Sequence, residues 1–187
     1  MVEISERYRS NPAPPWMRRT VERLLGSLAQ EHLTGLRTIV LTDAASVDGG
    51  KTRRRGGRKY DRKDCLGFYY PAHRQGPAWI ELVADNIIGA LARPLHPIQL
   101  ARDVVVARAL FHEIGHHLHA TRGSRGQHPE AGAEDWRLRL TRGHFQKQYW
   151  YLAPVARRLL TMLRFLRRRM TSQYSGPAGS RRSPSVR

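Results

Sequence analysis

One long helix constrains the fold of this chain more than any other feature of its sequence. From Pro97 to about Ala120 the residues follow helical periodicity, and the proline stands in the first turn, where its missing backbone N–H costs no hydrogen bond. Apolar side chains recur through the span, at Val104, Val105, Leu110, Phe111, Ile114 and Leu118. The sequence therefore predicts a helix that packs against the rest of its domain.

Short strands precede this helix and further helices follow it. The strand segments are rich in β-branched or aromatic residues and are bounded by turn-forming residues. Strands are predicted at Leu36–Thr42, Gly67–Pro71 and Ala78–Ala84. Helices are predicted at Pro14–His32, from Pro129 to about Leu140, and at Pro154–Met170. We expect an α+β fold in which a small mixed sheet packs on the long helix.

The length of 187 residues suits a single domain, which we place at residues 14–171. Residues 1–13 are expected to be a flexible N-terminus, and the Gly/Ser/Pro/Arg-rich residues 172–187 a disordered basic tail. No apolar run reaches the roughly 18 residues that span a membrane, and the N-terminus lacks the apolar core of a secretory leader. The single cysteine, Cys65, cannot form an intramolecular disulfide. We therefore expect a cytoplasmic protein with no transmembrane segment.

Positive charge dominates the composition. The chain has 33 Lys and Arg against 15 Asp and Glu, a formal net charge of +18 and a pI near 11.4. Such a field attracts polyanions. It is concentrated in Lys51–Lys59 and in Arg164–Arg169 with the tail residues Arg181 and Arg182. Neither cluster offers a row of aromatic side chains for base stacking, so we expect no more than non-specific contact with nucleic acid or anionic lipid.

The long helix contains the residues that indicate chemistry, His112-Glu113-Ile114-Gly115-His116. Two histidines four residues apart project from one helical face about one turn apart, so they can share a single metal ion. Glu113, beside them, can take a proton from a metal-activated water and deliver it to a leaving group. Zn²⁺ is the expected cofactor because it lowers the pKa of such a water to about 7. The motif predicts zinc-dependent hydrolysis with Glu113 as the general base.

Together with Glu130-Ala131-Gly132-Ala133-Glu134-Asp135-Trp136, fourteen residues further on, this motif resembles the zincin metallopeptidases. Within that group it is most similar to the gluzincins, whose third ligand is a glutamate, including the small ImmA/IrrE-like peptidases. The resemblance implies a zincin-like domain that hydrolyses peptide bonds in peptide or protein substrates. It implies that Glu130 binds the metal and that Glu134, one turn later, steadies a ligand histidine through its other ring nitrogen.

Other assignments remain open at this point. His128 or Glu134 could replace Glu130 as the third ligand, and a histidine there would favour a basic, nucleic-acid-associated protease of the SprT type. A non-catalytic polyanion-binding protein with a structural metal site is a further alternative. The metzincin subclass is excluded because position 122, where it requires a histidine, is an arginine.

Residues around the motif have expected roles too, of which only that of the strand comes from the resemblance. The strand Trp79–Ala84 is expected to be the sheet edge that pairs with an extended substrate. His117 is expected to point away from the metal as an exposed or capping residue, and His119 to lie outside the first ligands. His144 and the residues Tyr149–Tyr151 are candidates for stabilising an oxyanion.

Overall fold

The computed structural model describes residues 2–47, 53–55, 58–60, 64–73, 76–122, 128–152 and 154. The chain divides into two compact units, Met1–Lys147 and Gln148–Arg187, and the first contains every strand described and the candidate site. All but the first residue of the predicted helix Pro154–Met170 lie outside the described residues, as do Arg164–Arg169 and the predicted tail 172–187. The proposed domain end at residue 171 therefore stays a prediction.

The first unit is an α+β structure, which confirms the expected fold class. Its strands are β1 (Glu3–Arg7), β2 (Leu36–Thr42), β3 (Arg53–Arg55), β4 (Arg58–Tyr60), β5 (Gly67–Tyr70) and β6 (Ala78–Val83). Its helices are α1 (Pro15–Gly26), α2 (Ala84–Gly89), α3 (Gln99–Arg122) and α4 (Pro129–Gln148), the last ending one residue into the second unit. Single 3₁₀ turns occur at Gln30–His32, Arg93–Leu95 and, in the second unit, Trp150–Leu152.

Four strands form a mixed sheet in the order β1-β2-β6-β5. β1 and β6 are both parallel to β2, whereas β5 is antiparallel to β6. Strands β3 and β4 pair only with each other among the described strands. The two described outer strands of the main sheet are thus β1 and β5, and β6 lies inside it.

Helices cover one face of the sheet, and the burial pattern of β6 shows which side chains point to that face. In β6, Ala78, Ile80 and Leu82 are buried, while Trp79 and Glu81 are half-buried on the other face. Helix α3 contacts β5, β6 and α1, and together they enclose one hydrophobic core. The fully buried core side chains of the helices include Met17, Val21, Leu24, Ile87, Val106, Leu110, Phe111 and Ile114. The predicted helix therefore lies at the centre of the fold.

The N-terminal segment corrects one expectation. Residues 1–13 were expected to be flexible, but Glu3–Arg7 pairs with β2 along its whole length as the outer strand β1. The following turn is held by Asp43, whose buried carboxylate accepts hydrogen bonds from the backbone N–H groups of Arg9, Ser10 and Asn11. Burial alone would raise the pKa of Asp43, but these bonds and those from Ser46 hold it well below its usual range. The segment is thus ordered by a charged anchor far away in the sequence.

Among the described residues, no helix combines the length and the apolar character needed to cross a membrane.

Candidate metal centre

Helices α3 and α4 bring the motif residues together. His112, Glu113 and His116 lie in the middle of α3, and Glu130 lies in the first turn of α4. The Oε2 atom of Glu130 is 3.6 Å from Nε2 of His112 and 3.7 Å from Nε2 of His116. These three side chains can each offer one ligand atom, with all three atoms within 4.8 Å of one another. The structure therefore places the two histidines and the glutamate around a common point.

The two distances from Glu130 to the histidines suit a zinc ion. Tetrahedral zinc with ligand bonds of about 2.0–2.1 Å has its ligand atoms about 3.4 Å apart. The two distances to Glu130 are within a few tenths of an ångström of that value. The side chains of His112, His116 and Glu130 remain 24%, 19% and 34% exposed, respectively, so the group opens to solvent on one side. Two imidazoles, a carboxylate and an open side are the donor set typical of catalytic zinc.

Glu134 lies behind His112, where the resemblance placed it. Its Oε2 atom is 3.7 Å from Nδ1 of His112, the ring nitrogen that does not face Glu130. Arg137 holds Glu134 in a bidentate pair, with Nε at 2.8 Å and Nη2 at 2.5 Å from the two carboxylate oxygens. The hydrogen bond from Arg137 lowers the pKa of Glu134, and the nearby His112 adds to the effect. Glu134 is therefore a carboxylate suited to fixing the orientation of His112.

His128 does not join this group. It is exposed just before α4, and its Nδ1 atom accepts a weak hydrogen bond from the backbone N–H of Glu130 at 3.4 Å. Among the described residues, the His, Cys, Asp and Glu side chains close enough to hold a metal together are His112, His116 and Glu130. This arrangement gives no support to His128 as the third ligand.

Two glycines allow the elements of the site to approach closely. Gly115 lies against the backbone of Ala133, and a Cβ atom at position 115 would overlap the Ala133 carbonyl oxygen. Gly67, at the start of β5, lies beside Glu113, and a Cβ atom there would be 3.0 Å from Cγ of Glu113. Gly115 thus sets the distance between α3 and α4, and Gly67 leaves room for the Glu113 side chain beside the sheet edge.

We expect Gly115→Ala to destabilise the protein by about 2 kcal/mol or more, because the new methyl group meets backbone that cannot rotate away. Zinc affinity should fall as well, since α4, which carries Glu130, must shift. The measurement is urea unfolding followed by zinc titration. Gly143→Ala in α4 is the matched control: nothing lies within 4 Å of its Cβ, so it should stabilise the helix by about 0.5–1 kcal/mol. Equal midpoints for Gly115→Ala and wild type would contradict the described helix contact.

Glu113 is buried, with 7% of its surface exposed, and lines a cavity of about 800 Å³ together with the three metal-facing side chains. The segment Cys65–Tyr69 forms another wall of this cavity, and Arg108 and Arg137 line it as well. Glu113 thus lines the same cavity as the metal-facing side chains without being one of them. This is the position that a general base requires.

His117 is not exposed, contrary to expectation. It is 1% exposed, its Nε2–H donates to the carbonyl of Thr34 at 2.9 Å, and Nδ1 accepts from the Tyr69 hydroxyl at 3.2 Å. Burial lowers the pKa of His117 and so favours the neutral ring, and the Thr34 carbonyl, which can only accept, places the proton of that ring on Nε2. His117 therefore ties α3 to β5 and to the loop before β2. Sequence reasoning missed this role because its partners are distant in the chain.

The strand at the edge of the sheet also differs from the expectation. The strand predicted for that role, Trp79–Ala84, corresponds to β6, which is paired on both sides. The outer strand next to the metal-facing residues is β5, since Gly67 contacts Glu113 and Tyr69 contacts His117. Within the described sheet, β5 has no partner on its other side. The prediction of β6 as the edge is wrong, and β5 takes its place.

Two other histidines near the motif, His119 and His144, pack between elements of the fold. The ring of His119 packs against Gly132 of α4, where a Cβ atom would collide with it. His144 is 2% exposed, bonds to Ser27 Oγ at 2.8 Å and lies 3.5 Å from Asp103, so it is not available to an oxyanion in the cavity. Tyr149–Tyr151 belong to the second unit. None of these residues lines the cavity at the metal-facing group.

Comparisons with known proteins assign no family to this chain. No protein-family model matches it, and neither the curated proteins nor the solved structures contain a match. The resemblance to the zincins therefore depends on the motif residues, and the proposal below depends on the geometry of the chain itself.

Proposed function

We propose that this protein is a zinc-dependent peptidase, with His112, His116 and Glu130 as metal ligands and Glu113 as the general base. The observation that carries the proposal is the convergence of these four side chains in one cavity beside the outer strand β5. The donor set suits zinc, and the distances from Glu130 to the two histidines are close to those around a tetrahedral ion. Zinc held there would polarise a substrate carbonyl and lower the pKa of a water molecule.

The chain's own groups account for the rest of the reaction. Glu113 accepts a proton from the water as its oxygen attacks the carbonyl carbon of the peptide bond. It then delivers that proton to the amide nitrogen as the C–N bond breaks, so the products are a carboxylic acid and an amine. Glu134, held by Arg137, keeps the ring of His112 in place throughout. Burial of Glu113 beside Gly67 keeps its carboxylate close to the reacting atoms.

The outer strand supplies a reason for peptide substrates. An extended peptide can add to β5 through backbone hydrogen bonds, as substrates and ligands commonly do at free sheet edges. β5 passes alongside Glu113 and His117, so a peptide paired with it would lie over the metal-facing group. A small ester or amide would gain nothing from this edge. The geometry therefore favours hydrolysis of peptide bonds over that of small molecules.

The alternative is a polyanion-binding protein whose metal site is structural, and the net charge of +18 supports that possibility. Structural zinc is closed by four protein ligands. Among the described residues, the candidate metal group supplies three ligands, and their side chains are partly exposed. The metal-facing geometry therefore favours catalysis over a structural role.

We expect the purified protein to bind one zinc ion and to cleave an unfolded protein such as casein, or a peptide pool derived from a proteome. Dialysis against a chelator should abolish cleavage, and added zinc should restore it, because the water is not acidic enough without the metal. Zinc content is measured by elemental analysis, and cleavage by mass spectrometry of new termini. A zinc-loaded protein that cleaves nothing in a complex pool, yet binds DNA with a steep salt dependence, would favour the structural alternative.

A further inference from the structure

The cavity contains a positive charge that the proposed reaction does not use. Arg108 lies on α3 one turn before His112, is exposed, and lines the same cavity as the metal-facing group. Among the described residues its guanidinium has no hydrogen bond or ion pair, whereas Arg137, the other arginine of the cavity, is held by Glu134. Arg108 is therefore available to a ligand.

The direction of α3 relative to β5 places Arg108 along the substrate path. Gly67 contacts Glu113, and two residues later Tyr69 contacts His117. Two strand residues advance about 6.6 Å and four helical residues about 6 Å, so α3 and β5 run side by side in the same direction. Arg108, about 7.5 Å before Glu113 along the helix axis, thus lies toward the segment preceding β5. Cys65 and Leu66 of that segment line the same cavity.

This direction determines which part of a substrate meets Arg108. Antiparallel pairing is the slightly more stable arrangement of two strands. A peptide antiparallel to β5 runs from the Tyr70 end toward Cys65. When the scissile carbonyl of such a peptide lies beside Glu113, the peptide residues on the carboxyl side of the cleaved bond continue toward Arg108.

The charges of the cavity favour an anionic group at that place. The carboxylates of Glu113, Glu130 and Glu134 supply the negative charge of the cavity. Once a divalent ion binds, the positive charge of that ion and the two arginines together is larger. A guanidinium can bind a carboxylate through two parallel hydrogen bonds, which gives both affinity and orientation. A lysine or arginine of the substrate at the same place would meet like charge.

We propose that Arg108 is a specificity-determining residue that binds a carboxylate of the substrate on the carboxyl side of the scissile bond. This inference rests on the proposed peptidase function and adds a substrate class to it. The carboxylate is that of an Asp or Glu side chain or that of the substrate's own C-terminus. These two sources share the same chemistry and are separated by the experiment below.

The first test is a profile of cut sites in a proteome-derived peptide pool. Wild type should show enrichment of Asp and Glu, or of free C-termini, within about three residues after the cleaved bond. For matched peptides with Glu or Gln at the preferred position, Arg108→Gln should reduce the ratio of kcat/KM values roughly tenfold. Arg108→Glu should shift the preference toward Lys and Arg. Peptides with a free or an amidated C-terminus distinguish the terminal carboxylate from a side chain.

Arg37→Glu is the matched control, because Arg37 is an exposed arginine on β2 that does not line this cavity. It changes the net charge by the same amount as Arg108→Glu and should leave the profile unchanged. Zinc content should be equal in all variants, since Arg108 is not among the metal-facing residues. An unchanged profile in both Arg108 variants would overturn the inference while leaving the peptidase proposal intact.

A binding measurement decides the inference even if wild type cleaves nothing. Fluorescently labelled octapeptide pools with Glu, Gln or Lys fixed at one position, and with acid or amide termini, are titrated onto the zinc-loaded Glu113→Gln variant. We expect the acidic pool to bind roughly tenfold more tightly than the Gln pool, and this difference to disappear when Arg108→Gln is added. Equal binding of the pools, or a preference that survives Arg108→Gln, would refute the inference.

Discussion

Replacement of Glu113 by Gln should reduce peptide cleavage by about 10²- to 10⁴-fold while the protein still binds one zinc ion. Glutamine has nearly the same shape as glutamate, so it can occupy the space beside Gly67. Its amide cannot accept the proton of the attacking water. Because Glu113 is not one of the three metal-facing side chains, the metal should remain bound. The comparison requires only the rate of cleavage and the zinc content of the two proteins.

A matched control for this substitution is available on the opposite face of the sheet. Glu81 in β6 accepts a hydrogen bond from the Tyr70 hydroxyl at 2.8 Å and does not line the cavity. Glu81→Gln makes the same chemical change and should leave cleavage within a fewfold of wild type. If Glu113→Gln retained wild-type cleavage, another residue would have to be the base and the proposed mechanism would be wrong.

Replacement of Glu130 by Ala should lower zinc affinity by more than 100-fold. It removes one of the three proposed ligands, and among the described residues it is the only one that α4 contributes. Activity should fall with metal content, and excess zinc should restore part of it. The measurement is a competition titration with a chelator of known affinity.

The other two candidates for the third ligand, Glu134 and His128, should show smaller losses of zinc affinity when replaced by Ala. Glu134→Ala removes the partner of His112 Nδ1 and should lower affinity by about 10- to 100-fold. His128→Ala should have little effect, because the His128 side chain is exposed and, among the described residues, its hydrogen bond is the weak one from the Glu130 backbone N–H. If zinc were retained in Glu130→Ala but lost in Glu134→Ala, the ligand assignment would be reversed. Loss in His128→Ala alone would favour the SprT-like alternative.

The sequence predicts the long elements well because their signals are local. Strand β2 has the predicted bounds Leu36–Thr42, and α3 begins and ends two residues later than expected, at Gln99 and Arg122. Helix α1 ends earlier, at Gly26, where the Ser27 hydroxyl donates to the Leu24 carbonyl and closes the last turn. Helix α4 continues to Gln148 rather than to about Leu140. These differences are shifts of boundaries that depend on capping and on length.

Most of the structural features that the sequence does not predict depend on contacts between residues far apart in the chain. Strand β1 is polar, and its pairing with β2 and the anchoring of the next turn by Asp43 join residues more than thirty positions apart. Helix α2 is a short element directly after β6, where the sequence suggested only the end of a strand. The order of strands in the sheet, which makes β5 the edge, is likewise a matter of long-range pairing.

The candidate site shows the same division. The pair His112 and His116, with Glu113 between them, follows from helical spacing alone. The convergence of Glu130 on this pair depends on how closely α4 approaches α3, which Gly115 and Ala133 determine. The role of His117 depends on Tyr69 and Thr34, 48 and 83 residues away. Local chemistry can therefore be predicted, whereas the positions of its supports require the fold.

If the protein binds zinc as proposed, the division of the metal-facing side chains between two helices would connect metal supply to the lifetime of the protein. His112 and His116 belong to α3 and Glu130 to α4, so an ion shared by them would crosslink the two helices. A ligand that binds only the folded chain stabilises it by about 4 kcal/mol when its free concentration is a thousand times its Kd. Zinc limitation would then do more than stop cleavage: it would increase the unfolded fraction and with it the rate of degradation. The amount of protein present would follow the availability of its metal, without any separate sensor.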